Sequence, residues 1–423
     1  MQTTLTALAV VAVGYILAYV LFDRLRDRYG YVGGAEYVLL GVLLGPKVSG
    51  LLGAGQVQDL TPIVSLAAGW LGMLLGSYFR LPTLALLPPG HITTAFSEAL
   101  TTFGVALAAL FGLFRYLAGY AWADAMVQAV SLAAIATLSS AAAVDAFVRR
   151  AKVKTPILPV LQLTARIDAL VAVVAFGLVL TVFHQGEVAP GVRPPTATEW
   201  AVINLAVGVA SGVLFHLFLG PRRTAEEPES ASRLFVALAG AIVVASGASY
   251  YLNLSPIYTT LILGFILSNS GSSHRDVTRL LLATERPIYL ALLIFAGAAW
   301  SPGSVDLLFI APVFVVIRLG ARYIGGRVAG LHVAPPELRT PGLARGLLAQ
   351  GGIGVAIAVN YAQVRPDLNP RLVLTATLLS VLLFEVVASR EAAAFVASLE
   401  RNAPPPPPPP GRTAEPEPAG RAT

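Results

Sequence analysis

Apolar residues in this chain run in blocks about as long as a bilayer is thick, with clusters of polar residues between them. At about 1.5 Å of rise per residue, roughly 20 apolar residues cross a ~30 Å hydrocarbon core. Measured with that ruler, the sequence predicts about thirteen spans: residues 5–22, 35–52, 60–79, 101–120, 126–148, 158–183, 200–219, 234–252, 256–268, 287–300, 307–325, 343–363 and 372–393. The fold class this implies is an all-α polytopic membrane protein. The first block is too long and too lightly charged at its start for a cleaved signal peptide, so it is read as a span.

Two of the blocks suggest an internal repeat. Ala35 to Tyr37 leading into Gly41-Val-Leu-Leu-Gly45-Pro46 resembles Ser255-Pro256-Ile257 leading into Gly264-Phe-Ile-Leu-Ser268-Asn269. Each is a short helix ending in a polar break, and the two run in opposite directions through the membrane. That is the mark of inverted-topology repeats. Two longer blocks are interrupted as well. Ala136-Thr137-Leu138-Ser139-Ser140 breaks the span at 126–148, and Gln350-Gly351-Gly352-Ile353-Gly354 breaks the one at 343–363. Unwound backbone at membrane depth is tolerated only where it is buried in protein or lines a cavity, so the expectation is two crossed discontinuous helices.

Composition narrows the picture further. The 423 residues are 56% hydrophobic and 12% charged, with a mean hydropathy of +0.73, which leaves too little polar surface to cover a soluble globule. The net charge of +6 comes from loops, and no basic stripe suggests a nucleic-acid partner. Arg24, Arg26, Arg28, Arg80, Arg149, Arg150, Lys152, Lys154, Arg222, Arg223, Arg233, Arg275, Arg279, Arg286, Arg327, Arg339 and Arg345 fall in alternate loops. The opposite loops hold Lys47, Arg193, Arg365 and Arg371. By the positive-inside rule the N-terminus is expected outside and the C-terminus in the cytoplasm, which requires an odd number of spans. With no cysteine in the sequence, disulfides, Fe–S clusters and Cys–zinc sites are excluded.

The expected organisation is a first half at residues 1–185, an outer connecting loop at 186–199, a second inverted repeat at 200–400 and a disordered proline-rich cytoplasmic tail at 401–423. Residues 221–232 read as a polar cytoplasmic connector.

Charges inside the spans are the candidates for chemistry. Asp168 lies ten residues in from Leu158, roughly 15 Å deep. An ionisable group there costs on the order of 2.5–3.5 kcal/mol by insertion scales and normally faces water, a partner or a transported ion. The plainer reading is a structural carboxylate paired with an arginine. Arg318 is the second mid-membrane charge and a candidate to neutralise it, with Arg322 expected to snorkel one turn nearer the cytoplasm. Arg166 falls about 200° round the helix from Asp168 and is expected to pair with an acid on another helix. Glu285, before Arg286 and Pro287, reads as a helix cap; Glu385 as an ion-pair partner; Asp145 as an attractor of cations into an inward funnel. The five histidines, His91, His184, His216, His274 and His332, have no metal spacing.

Taken together, these residues resemble the monovalent cation:proton antiporter superfamily. The matching stretches are Tyr37 to Pro46, Leu138 to Val144, the helix around Asp168, Leu254 to Pro256 with Gly264, Phe295 to Gly297, Arg318 with Arg322 and Gly326, and Gly351 with Gly352. They cover most of residues 35–391. The resemblance implies crossed, unwound helices in a mobile core, a separate dimerisation domain giving a homodimer, and proton-coupled exchange of Na⁺ or K⁺ in a cell membrane, with no cofactor. It places the ion at Asp168 with Thr137, Ser139 and Ser140, the compensating charge at Arg318, and the crossover breaks at Leu138, Gly351 and Gly352. This chain departs from the family in having Ile167, where relatives often carry Asp or Asn before the key aspartate. Electroneutral exchange at one carboxylate is therefore expected. A cation channel, or a non-transporting receptor or enzyme on a similar bundle, stays open as the alternative.

Overall fold

The computed structural model describes residues 9, 11–16, 34–151, 155–186, 193–219, 229–270, 274–301 and 305–401. Among them the regular structure is helical: α1 (Ala35–Leu44), α2 (Ala54–Asp59), α3 (Thr61–Ser77), α4 (Leu81–Leu84), α5 (Pro89–Gly112), α6 (Trp122–Thr137), α7 (Ala141–Arg150), α8 (Ile157–Val182), α9 (Ala197–Leu219), α10 (Glu229–Tyr251), α11 (Pro256–Asn269), α12 (His274–Ala299), α13 (Val305–Val328), α14 (Gly352–Val364) and α15 (Pro370–Arg401). Seven of the described spans are long and apolar enough to cross a membrane, counting α6 and α7 as one broken crossing. Three shorter apolar helices, α3, α11 and α14, stand among them. The chain is an all-α polytopic membrane protein with two crossed discontinuous helices.

The repeat suggested by Gly41 and Gly264 has a packing reason. A Cβ at Gly41 would lie 2.0 Å from the Ile294 carbonyl of α12, and one at Gly264 would lie 2.1 Å from the Met73 carbonyl of α3. α1 is thus seated, backbone against backbone, on α12, and α11 in the same way on α3. Lipid tails give helices no hydrophobic reason to associate, so close approach through small residues takes over.

Two groups of helices result. α1, α3, α10, α11 and α12 pack on one another as a frame, while α5, α6, α8, α13, α14 and α15 pack around the two breaks as a core.

Several expected boundaries are corrected. The span at 35–52 is helical only to Leu44, because Gly45 and Pro46 turn the chain and Gly50 adopts a left-handed φ of 68°. The span expected at 101–120 begins twelve residues earlier, at Pro89, a residue whose fixed φ suits a first helical turn. Its added turns bury Thr94, Ala95, Glu98 and Ala99. The span expected at 287–300 begins at His274 and carries Pro287 inside it, so Glu285 is a mid-helix residue and not a cap. Trp70 Nε1 donates to Thr284 Oγ1 at 2.8 Å and ties that extension to α3. The connector at 221–232 is helical from Glu229, its earlier part lying outside the described residues. Most of the span at 5–22, the Arg24 to Arg28 cluster, the middle of the 186–199 loop and residues 402–423 of the tail also lie outside them.

Candidate functional site

The two breaks meet. α6 stops at Thr137, Leu138 to Ser140 are extended, and α7 starts at Ala141, where Ser140 Oγ accepts from the Ala143 amide at 3.2 Å as an N-cap. In the second half a short 3₁₀ turn, Leu343–Leu347, stops before four unwound residues, and α14 starts at Gly352 with Gly351 as its N-cap. The second break is therefore residues 348–351, with Gly352 and Gly354 already helical. The Ser140 amide donates to the Ala349 carbonyl at 2.8 Å, and Ser139 Oγ lies 2.9 Å from the Leu347 carbonyl.

Unwinding leaves helix-terminal carbonyls without intrahelical donors, and these carry the negative end of each half-helix dipole. Two arginines of α13 supply the donors. Arg318 Nη2 donates to the carbonyls of Leu138 at 3.0 Å and Leu348 at 3.1 Å, one from each break, and its guanidinium lies 4.0 Å from the centre of the Phe384 ring. Arg322, one turn on, donates through Nη2 to the Thr137 carbonyl. Through Nη1 it reaches Asp168 Oδ2 at 2.8 Å and both carboxylate oxygens of Glu98 at 2.9 Å. All four charged side chains are fully buried. The cation bonded to Asp168 is thus Arg322, which does not snorkel. Arg318, chosen from the sequence, is bonded to the backbone of the crossover.

Of the three polar residues expected beside the aspartate, one touches it. Ser139 Oγ lies 2.6 Å from Asp168 Oδ2. The Thr137 hydroxyl donates to its own helix at Ala133 O, 2.8 Å away, leaving its carbonyl to Arg322, and Ser140 caps α7. Asp168 Oδ1 has no hydrogen-bond partner.

Glu98 is the residue that sequence reading missed. It is fully buried on α5, accepts from Thr102 Oγ1 at 3.0 Å, and shares Arg322 with Asp168. The signal was present as the i, i+4 series Thr94, Glu98, Thr102 on one helical face. Thr93, Thr94, Ser97 and Glu98 interrupt the apolar run, so hydropathy alone starts the span at residue 101 and leaves Glu98 outside it. The expectation of a lone membrane acid is corrected accordingly: two carboxylates share one guanidinium. Contact between α5 and α13 is close here because Gly325 lies against Thr102, where a Cβ would come 2.0 Å from Thr102 Oγ1.

A cleft of about 70 Å³ between frame and core reaches Ser139 at the first break. Its lining includes Ser139, Ser140, Ala169, Tyr78, Glu285 and Tyr289, and also Arg166, which was expected to face away from the site. Arg166 Nη2 lies 3.4 Å from Asp145 Oδ2, the acid on another helix, with its guanidinium 4.9 Å from the centre of the Tyr78 ring. Gln162 Nε2 donates to Asp145 Oδ1 at 2.7 Å. Glu385 is partly buried on α15. Among the described residues no group of three His, Asp or Glu side chains is arranged to hold a metal ion.

The arrangement defines a class of membrane protein: a helical bundle in which two broken helices cross over a buried carboxylate–guanidinium cluster. No family model and no curated protein matches the sequence. Among solved structures, the chain is similar to the sodium proton antiporter MjNhaP1 from Methanocaldococcus jannaschii. The TM-score is 0.64 at 13% identity, over 94% of this chain and 99% of that one. At such identity the likeness is one of fold.

Proposed function

We propose that this protein is a secondary transporter that exchanges H⁺ for a monovalent cation, Na⁺ or K⁺, at Asp168. The observation that carries the reading is a fully buried carboxylate, half unpaired, held where two unwound helices cross and a cleft arrives from one face. Unwound carbonyls beside a carboxylate are how discontinuous helices coordinate small cations. Asp168 takes either a proton or a cation, and Arg322 occupies it in the exchange between them, staying anchored on Glu98 and the Thr137 carbonyl when displaced. Mutual exclusion at one group is enough to couple the two fluxes.

The charge count favours electroneutral exchange. Glu98 and Asp168 balance Arg318 and Arg322, so one proton or one monovalent cation adds the same single charge. The structural neighbour described above is a sodium proton antiporter, which supports the same class of activity. The cleft lies on the side of Arg80 and Arg149, read as cytoplasmic. We further propose that the protein works as a homodimer in a cell membrane, with H⁺ and Na⁺ or K⁺ as substrates.

The test is Asp168→Asn, purified with the wild-type elution profile and placed in proteoliposomes. It should show no cation-dependent proton flux, and full exchange would end the proposal. Proton release from the purified wild type on adding Na⁺, K⁺ or Li⁺ in turn identifies the cation. An imposed membrane potential should leave the rate unchanged, and clear acceleration would overturn electroneutrality. A channel would conduct without the saturable, pH-gradient-driven counterflow expected here.

A further inference from the structure

The cleft lies at one end of the frame–core boundary, and a set of neutral hydrogen bonds closes the other end. Ser65 Oγ on α3 lies 3.1 Å from Gln363 Oε1 on α14, and Gln363 Nε2 donates back to the Thr61 carbonyl at 3.3 Å. Ser255 Oγ, at the N-cap of α11, donates to Asn360 Oδ1 at 2.7 Å. Trp300 Nε1, just past α12, donates to Thr375 Oγ1 on α15 at 3.0 Å. In each pair one partner belongs to the frame and the other to the core.

Their position follows from helix length. On α3, Ser65 and the cleft residue Tyr78 are thirteen residues apart, about 20 Å at 1.5 Å per residue. On α12, Glu285 in the cleft and Trp300 are separated by about 22 Å by the same measure. Ser255 and Asn360 are both buried, so that pair is shielded from competing water, and Ser65 and Thr375 are the buried members of the other two. Their chemistry is also unlike that of the cleft end, where the charged side chains Arg166 and Glu285 line the cleft and Arg166 pairs with Asp145. Neutral hydrogen bonds are individually modest, so a few of them hold a boundary shut while still letting it part as a unit.

We infer that Ser65–Gln363, Ser255–Asn360 and Trp300–Thr375 form a seal that closes the path to Asp168 from the face opposite the cleft, and that it opens in the other half of the transport cycle. The assignment rests on the exchange reading above and names the contacts on which alternating access turns. Bistable interfaces, and not continuous deformation, carry such transitions.

The absence of cysteine from the sequence makes single-cysteine probes clean. Ala356, fully buried on α14, is one helical turn from Asn360 towards the crossover and reports the sealed side. Ala142, exposed in the cleft, reports the other. In purified protein, maleimide should label Ala356→Cys slowly. Adding Ser65→Ala and Ser255→Ala should speed that labelling roughly five- to tenfold, the effect of removing two neutral hydrogen bonds. Labelling of Ala142→Cys should stay the same or slow. An unchanged rate at position 356 would overturn the assignment. So would equal acceleration at both positions, which means the pairs only hold the fold together. In a second experiment a disulfide between Ser65→Cys and Gln363→Cys should arrest exchange, and reductant should restore it. Exchange continuing at full rate with the bond quantitatively formed would also overturn the seal. If the reduced protein shows no exchange, the transport reading fails while the labelling comparison still decides the seal.

Discussion

Arg322 is the hinge of the chemistry at the residue scale. Its Nη1 serves two buried carboxylates, so Arg322→Met leaves both uncompensated and should destabilise the protein by about 3–5 kcal/mol, read as thermal unfolding in detergent. Glu98→Gln acts differently. It keeps the volume and the Thr102 hydrogen bond but gives Asp168 the undivided guanidinium, which under the proposed exchange is the competitor of the incoming cation. Apparent cation affinity should weaken on the order of tenfold, measured by cation-triggered proton release, and an unchanged affinity would count against competition at Asp168. Which arginine reaches the aspartate was not legible in the sequence. Arg318 and Arg322 are one turn apart on one face, about 6 Å, which is less than the reach of either side chain.

Among the elements, the close helix pairs decide what substitutions the fold accepts. A Cβ at Gly72 would sit 2.2 Å from the Ile257 carbonyl, a backbone atom that cannot step aside. Gly72→Val should therefore cost at least about 1–3 kcal/mol, while Gly240→Ala, which meets open space on α10, should stabilise by about 0.5–1 kcal/mol. Thermal shifts of opposite sign in the two variants are the expected result. The existence and order of the spans were legible because twenty apolar residues admit few other fates. The starts of α5 and α12 were not, because Glu98 and Thr284 are polar residues whose partners, Thr102 with Arg322 and Trp70, stand on neighbouring turns and helices that local hydropathy cannot see.

For the molecule as a whole, the end opposite the cleft carries a pH-sensitive joint. His184, just past α8, stacks on Trp200 at 3.6 Å between ring centres, and its Nε2 lies 2.9 Å from the Leu252 carbonyl beyond α10. Burial holds its imidazole below the ordinary histidine range, outweighing the Leu252 hydrogen bond. The unfolded chain takes up a proton near pH 6.5 that the folded one resists, so stability present above about pH 6.5 is lost as the pH falls through the lower folded value. His184→Gln should flatten that decline, seen as a smaller loss of melting temperature between about pH 7 and 5. By itself the sequence determined that the chain lives in a membrane, that two of its helices are broken, and that Asp168 is buried, since hydropathy, glycine spacing and the cost of a charge in hydrocarbon are local quantities. The sharing of Arg322, the membership of Glu98, the turning of Arg318 to the crossover and the closing of one face were decided only when distant segments met. Each is a choice among partners of equal chemistry, and distance alone separates them.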